Sequence, residues 1–164
     1  MPEEITRTAY HECGHALMAC ISGAQVDYIT IEPEDGDGPE RYGETKVRWP
    51  ETGIPDKQIA RSEIKIALAG PVVEMIFDEV QNAPEFLAEW AGDWATALDR
   101  ADFCLPPDKP ISQQLAQIGA DLVIFFERED VWAAVAAMAD GLEAHGTLET
   151  YEIGEILAGW PIAL

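Results

Sequence analysis

Basic residues are scarce in this 164-residue chain: ten Lys and Arg stand against 31 Asp and Glu, which gives a net charge of −21 at pH 7. A surface this negative repels phosphate backbones and anionic lipids. We therefore expect neither nucleic acid nor a membrane surface among the partners. The acidity does not determine the fold, but it favours solubility and can attract basic segments of a substrate.

Cysteines are also few. The three of them, Cys13, Cys20 and Cys104, are an odd number without C-x-x-C spacing. This argues against a disulfide framework and suits a reducing compartment. The N-terminus lacks the basic stretch and apolar core of a signal peptide, and no run approaches the roughly 18 apolar residues of a membrane span. These absences predict a cytoplasmic domain that has no membrane span.

The pattern of helix and strand signals predicts one mainly helical domain, residues 1–164, resembling a helical bundle with a small β-hairpin or sheet. A first helix over 3–21 ends at Ser22-Gly23, and β-rich runs at 26–31 and 42–49 flank an acidic loop. The loop, 34–39, lacks the oxygen spacing of a calcium-binding loop. Further helices are predicted over 55–80, with a kink or restart at Pro71, and over 85–104, 111–127, 130–144 and 150–157.

The first helix carries an H-E-x-x-H motif, His11-Glu12-Cys13-Gly14-His15. Residues four apart on a helix are separated by about 40° around the axis and ~6 Å along it, so both imidazoles face one way. They can share one zinc ion. Glu12 lies about 100° round from His11, where its carboxylate can take a proton from the attacking water. The motif therefore predicts a zinc-dependent hydrolase with Glu12 as general base.

Other polar residues have simpler interpretations. Cys13 points about 200° away from His11 and is predicted to be a small buried residue rather than a thiolate ligand. Gly14 suggests that another backbone packs closely against the helix. His145, the remaining histidine, is expected to cap a helix end or to face solvent.

A catalytic zinc needs a third protein ligand and an open fourth position. No third histidine follows the motif at short spacing, so the ligand must come from a distant part of the chain. Spacing alone does not choose among the carboxylates on predicted helices with apolar faces. These are Glu74, Glu89, Asp93 and Asp99.

The segment Ala9–Leu17, AYHECGHAL, is similar to the AYHEAGHAL signature of the FtsH family of ATP-dependent zinc proteases. Residues 67–77, ALAGPVVEMIF, resemble that family's LLGGRAAEEIIF helix, and Asp93 with Ala97 resembles its SND-x-x-x-A segment. The strand pair after the motif helix and the closing helix over 148–157 are also similar. The resemblance covers the chain from about Ile5 to Ala158.

The resemblance implies a metalloendopeptidase acting on flexible or unfolded polypeptides. It implies that His11, His15 and Asp93 bind zinc, with Glu74 orienting a ligand histidine. It also implies an edge strand that holds substrate by main-chain hydrogen bonds. This strand comprises Gly43, Glu44, Thr45, Lys46 and Val47.

The chain departs from the family at Cys13, where Ala is usual, and at Pro71, where Arg is usual. The segment before Asp93 also differs, which keeps Glu89 as a rival ligand. No G-x-x-x-x-G-K-[ST] phosphate loop or membrane anchor is found, so the domain is not expected to unfold stable proteins by itself.

Two alternatives to an independent peptidase follow. One is a non-catalytic zinc-binding module for partner interaction, against which an intact Glu12 argues. The other is a peptidase subunit that depends on a separate ATPase. The resemblance also implies a hexameric ring.

Overall fold

The structure is a computed structural model that describes residues 2–33, 42–79 and 90–164. Six α-helices and three β-strands lie within these ranges, and the fold is mainly helical with a small antiparallel sheet, as predicted. In chain order the elements are α1 (Pro2–Ile21), β1 (Gln25–Thr30), β2 (Glu44–Arg48), α2 (Asp56–Asp78), α3 (Ala91–Cys104), α4 (Ile111–Phe126), α5 (Glu129–His145), β3 (Thr147–Glu149) and α6 (Thr150–Gly159). The predicted acidic loop at 34–39 and the predicted helical residues 85–89 lie outside the described residues.

The core is built around the packing of α1 on α2. Gly14 of α1 allows the two helices to approach closely, because a Cβ there would lie only 2.8 Å from the carbonyl oxygen of Ala69 and from Cγ2 of Val73. Cys13 is fully buried beside this contact. The close backbone packing predicted from Gly14 and the buried position predicted for Cys13 are both confirmed.

Helix α2 does not restart at Pro71. It continues from Asp56 to Asp78 with Pro71 inside it. Proline removes one helical hydrogen bond, but the helix here is buried from Ala67 to Met75. Burial of a helix face is the main source of helix stability in proteins, so packing outweighs the missing bond.

The three strands form one sheet in the order β2-β1-β3, with both pairings antiparallel. The predicted hairpin corresponds to β1 and β2. Strand β3 was not predicted; it pairs with β1 through contacts such as Ile29 opposite Leu148, and both of these side chains are buried. Strand β2 lies at one edge of the sheet, next to α1.

None of the helices in the described ranges combines the length and apolarity needed to cross a membrane.

Candidate metal centre

Helix α1 presents His11 and His15 on its side facing α2. Each residue is only 8% exposed. The Nε2 atoms of the two rings lie 3.0 Å apart, as expected for side chains one helical turn apart on the same face. Helix formation and the spacing of the motif are thus enough to bring two ring nitrogens together.

The other nitrogen of each ring faces a hydrogen-bond acceptor. Nδ1 of His15 lies 2.6 Å from the backbone oxygen of Ile66, and a carbonyl can only accept, so this nitrogen carries the proton. Nδ1 of His11 lies 2.9 Å from Oε2 of Glu74. The same oxygen accepts a hydrogen bond of 2.5 Å from the indole nitrogen of Trp90. With both Nδ1 atoms donating outward, both Nε2 atoms present lone pairs to each other.

Asp93, in the first turn of α3, brings a third electron-pair donor to the same point. Its Oδ2 lies 3.0 Å from Nε2 of His11 and 3.4 Å from Nε2 of His15. Three lone pairs converging in a buried place repel one another unless a cation lies between them. The site therefore requires either a proton or a metal ion.

The pKa values of these residues indicate the same requirement. Burial by itself lowers the pKa of His11, but hydrogen bonds to Asp93 and Glu74 outweigh burial and raise the pKa to about 9. Burial likewise opposes the protonation of His15, while Asp93 raises its pKa. Burial favours the neutral form of Asp93, yet the charge on His15 and hydrogen bonds to both rings lower its pKa.

The backbone of α2 approaches these atoms closely at Gly70. Gly70 of α2 packs directly against the two rings, and a Cβ at this position would lie 2.4 Å from Nε2 of His15 and 2.8 Å from Nε2 of His11. Both distances are shorter than the 3.0 Å below which Cβ contacts essentially never occur in proteins. Any side chain at residue 70 would thus intrude on the space that a shared ion requires.

The donor set fits a metal ion. Ligand atoms of the buried residues His11, Glu12 and His15 lie within 4.8 Å of one another, so this group could hold an ion. Asp93 adds the oxygen already described. Four ligands at ~2.0–2.1 Å around a tetrahedral ion lie about 3.3 Å apart, close to the 3.0–3.4 Å spacings of the two Nε2 atoms and Oδ2.

Glu12 is buried at 7% exposure and is held by strand β2. The hydroxyl of Thr45 donates to Oε2 of Glu12 at 2.7 Å and lies 3.1 Å from the Glu12 backbone oxygen. Gly43 gives the carboxylate its space, because a Cβ there would lie 2.6 Å from Oε1. Two residues predicted to contact substrate thus hold the glutamate in place.

A cleft of about 540 Å³ opens over these residues. Strand β2 forms one wall and helices α2 and α3 the other. Besides His11, Glu12, His15 and Asp93, its lining consists of Gly43, Glu44, Thr45, Val47, Trp49, Glu63, Ile66, Ala67, Gly92 and Thr96. Of the five residues predicted for the substrate strand, Lys46 is the one absent from this lining, and it is exposed.

The rival third ligands are placed as follows. Asp99 is exposed and pairs with Arg100, away from the histidines. Glu74 meets Nδ1 of His11, the nitrogen that faces away from Asp93. Glu89 lies outside the described residues. His145 ends α5 and is exposed, as predicted.

Sequence reasoning missed three contributors to the site. Trp90 gave no signal, because a tryptophan before a predicted ligand is far more often a core residue. The carbonyl of Ile66 carries no side-chain signature at all. Gly70 was not singled out from the sequence, although its place one turn before Glu74 could have suggested a close approach of the backbone to the site.

In comparisons with sequence models of protein families and with curated proteins, nothing matches this chain.

Proposed function

We propose that this chain is a zinc-dependent metalloendopeptidase of the FtsH type, which hydrolyses peptide bonds in flexible or unfolded polypeptides. The observation that carries the proposal is the convergence of three electron-pair donors, from His11, His15 and Asp93, next to a buried glutamate. The similarity of residues 9–17 to the FtsH signature supports the same reaction.

Zinc would be held by Nε2 of His11, Nε2 of His15 and Oδ2 of Asp93. Two nitrogens and one carboxylate oxygen are a ligand set that catalytic zinc sites use, with a fourth position left open. Zinc bound there would lower the pKa of water towards 7 and would polarise the substrate carbonyl.

Glu12 is the proposed general base. Its Oε2 accepts a hydrogen bond from Thr45, which restricts rotation of the carboxylate and leaves Oε1 to receive a proton from the attacking water. The same carboxyl group can then pass this proton to the nitrogen of the departing amine. Thr45 thus acts through Glu12 and helps to keep the base in a productive orientation.

Strand β2 is the proposed substrate-binding element. It is an edge strand beside the cleft, and an extended peptide can add to such an edge through main-chain hydrogen bonds. Main-chain recognition requires an extended segment but depends little on side chains, so unfolded or flexible polypeptides are the expected substrates. A separate ATPase and a hexameric ring remain proposals from the family resemblance.

A comparison of wild type with Glu12→Gln on an unfolded protein substrate tests the function. The exchange keeps the shape and the Thr45 contact but removes the base. We expect one zinc per chain in both proteins and a loss of roughly 10²–10⁴-fold in hydrolysis in the variant. Asp93→Ala should lose zinc as well as activity.

Three results would count against the proposal in different ways. Wild type without bound zinc would contradict the metal site itself. Stoichiometric zinc with equal inactivity of wild type and Glu12→Gln would favour a non-catalytic zinc-binding module. Activity that appears only after addition of cell extract and ATP would favour a peptidase subunit that needs a separate ATPase.

A further inference from the structure

Trp90 lies behind the metal centre, immediately before α3. Its side chain is 3% exposed, and its indole nitrogen donates a hydrogen bond of 2.5 Å to Oε2 of Glu74. An indole N–H can only donate. Tryptophan is thus used here for one directed hydrogen bond as well as for its bulk.

The hydrogen bond from Trp90 affects how the Glu74 carboxylate interacts with the ring of His11. Oε2 of Glu74 receives both the indole N–H and Nδ1 of His11. Two donors on one oxygen stabilise the charged carboxylate, and Arg7, with its Nε 3.9 Å from Oε1, adds a compensating charge. A charged Glu74 holds a proton of His11 on Nδ1, which leaves Nε2 as the ring nitrogen that faces His15 and Asp93.

Trp90 also precedes Asp93 by only three residues, at the start of the helix that carries this carboxylate. Its buried ring and its hydrogen bond to α2 tie the first turn of α3 to α2 at a fixed position. One side chain therefore orients His11 through Glu74 and fixes the place from which Asp93 reaches both histidines.

We infer that Trp90 is a positioning residue for the metal centre, acting through the chain Trp90–Glu74–His11 while anchoring the turn that holds Asp93. The inference rests on the metal site of the proposed function but does not require that the site be catalytic. The hydrogen bonds connect the indole of Trp90 to Glu74, and Glu74 to His11, a proposed metal ligand.

The test measures zinc affinity by competition with a chromophoric chelator in wild type, Trp90→Phe and Trp94→Phe. Phenylalanine retains an aromatic ring but has no N–H. We expect Trp90→Phe to weaken zinc binding by about 10–100-fold, the usual effect of losing a hydrogen-bond partner behind a metal ligand. Trp94 lines an apolar crevice with Leu68 and Leu115, so Trp94→Phe should stay within about 3-fold of wild type.

A double-mutant cycle with Glu74→Gln separates positioning from general packing. If Trp90 acts through Glu74, Trp90→Phe should cost much less zinc affinity in the Glu74→Gln background than in wild type. Additive losses would overturn the relay. Thermal unfolding with chelator present verifies that each metal-free variant is folded.

Wild-type protein alone provides a second measurement, which holds even if Trp90→Phe does not fold. The indole N–H resonance of Trp90 should lie downfield because of its carboxylate acceptor and should shift when zinc is added. Unchanged affinity in folded Trp90→Phe, or a Trp90 resonance indifferent to zinc, would overturn the inference. If wild type binds no zinc at all, the metal site of the proposed function fails instead.

Discussion

The absence of a side chain at Gly70 is as important to the candidate centre as the side chains that surround it. Gly70 lies against both histidines, and a Cβ at this position would come within 2.4 Å of Nε2 of His15. The two rings are fixed on their far sides by Glu74 and by the Ile66 carbonyl, so they have little freedom to withdraw. We therefore expect any side chain at residue 70 to hinder the binding of an ion shared by the two rings.

Gly70→Ala should lower zinc affinity by more than the ~10–100-fold typical of an altered outer contact, because the methyl group competes with the ion itself. Gly119→Ala is the matched control, since it is also a helical glycine but has no atom within 4 Å of its Cβ position. That control should bind zinc normally and gain about 0.5–1 kcal/mol of stability. Normal zinc affinity in folded Gly70→Ala would show that the ion lies elsewhere.

The proton on His11 predicts how metal affinity depends on pH. Burial lowers the pKa of His11, but the hydrogen bonds to Asp93 and Glu74 outweigh burial and raise the pKa to about 9. Zinc must displace that proton, so its affinity should rise at least about tenfold per pH unit from pH 7 to 9 and then flatten. Chelator-buffered titrations measure this, and a flat profile over the window would contradict it.

Folding stability of the metal-free protein should change in the opposite direction. A histidine whose folded pKa is raised stabilises the protein fully below its unfolded pKa of about 6.5. This contribution disappears as pH rises through the folded value of about 9. Denaturant unfolding in chelator should therefore show a loss of stability between pH 6.5 and 9 that is smaller in His11→Ala.

At the scale of elements, the short strand β3 joins the C-terminal part of the chain to the sheet next to the site. Leu148 at its centre is 1% exposed and lies opposite Ile29. Thr30 and Thr147 also share a hydrogen bond of 2.7 Å between their hydroxyls. This strand therefore supports β1, which in turn holds β2 beside Glu12.

Leu148→Ala should destabilise the fold by about 2–5 kcal/mol, because it removes a fully packed side chain and leaves a cavity. Leu164→Ala is the control, as Leu164 is 91% exposed and its loss should change stability by less than about 0.5 kcal/mol. Denaturant unfolding with chelator present makes the comparison. A loss below about 1 kcal/mol for Leu148→Ala would mean that β3 is dispensable.

Local patterns predicted the helices and the first two strands well. Hydrophobic periodicity and helix-breaking residues act over a few positions of the chain. They are enough to predict the H-E-x-x-H helix, the hairpin and the mainly helical fold. Strand β3 was missed because a strand of three residues is too short to show alternating hydrophobicity. Its pairing partner, β1, also lies over 110 residues away in the chain. The restart offered as one outcome at Pro71 does not occur, because the burial of α2 outweighs the missing hydrogen bond.

The site was only partly predictable for the same reason. The spacing of His11 and His15 is a property of one helix, so the sequence carries it directly. The choice of third ligand among Glu74, Glu89, Asp93 and Asp99 depends on how the segments that carry them pack against α1, which no local pattern contains. Trp90 could not be recognised, because its role depends on one hydrogen bond between two helical segments.

At the scale of the whole molecule, the net charge of −21 is expected to affect stability. Charges of one sign repel one another in the compact state, and salt screens that repulsion. Each kcal/mol of repulsion removed should raise the unfolding temperature by about 2–4 °C in a chain of this size.

We therefore expect the unfolding temperature of the metal-free protein to rise steadily from 0.02 to about 0.3 M sodium chloride, beyond which screening is nearly complete. Calorimetry with chelator present measures it. An equal osmolality of an uncharged solute is the control for effects other than screening. An unfolding temperature that falls or stays constant with salt would contradict this expectation. It would show that nearby positive groups already offset the repulsion among the acidic residues.

The distance along the chain between the histidines and Asp93 has a consequence for biosynthesis. His11 and Asp93 are 82 residues apart, so at roughly 5–20 residues per second the ribosome needs about 4–16 s to add the aspartate after the first histidine. A nascent chain that ends before Asp93 contains both histidines but lacks the aspartate. The three proposed ligands are therefore complete only after Asp93 has been added, so translation delays the proposed metal binding and hydrolysis by those seconds.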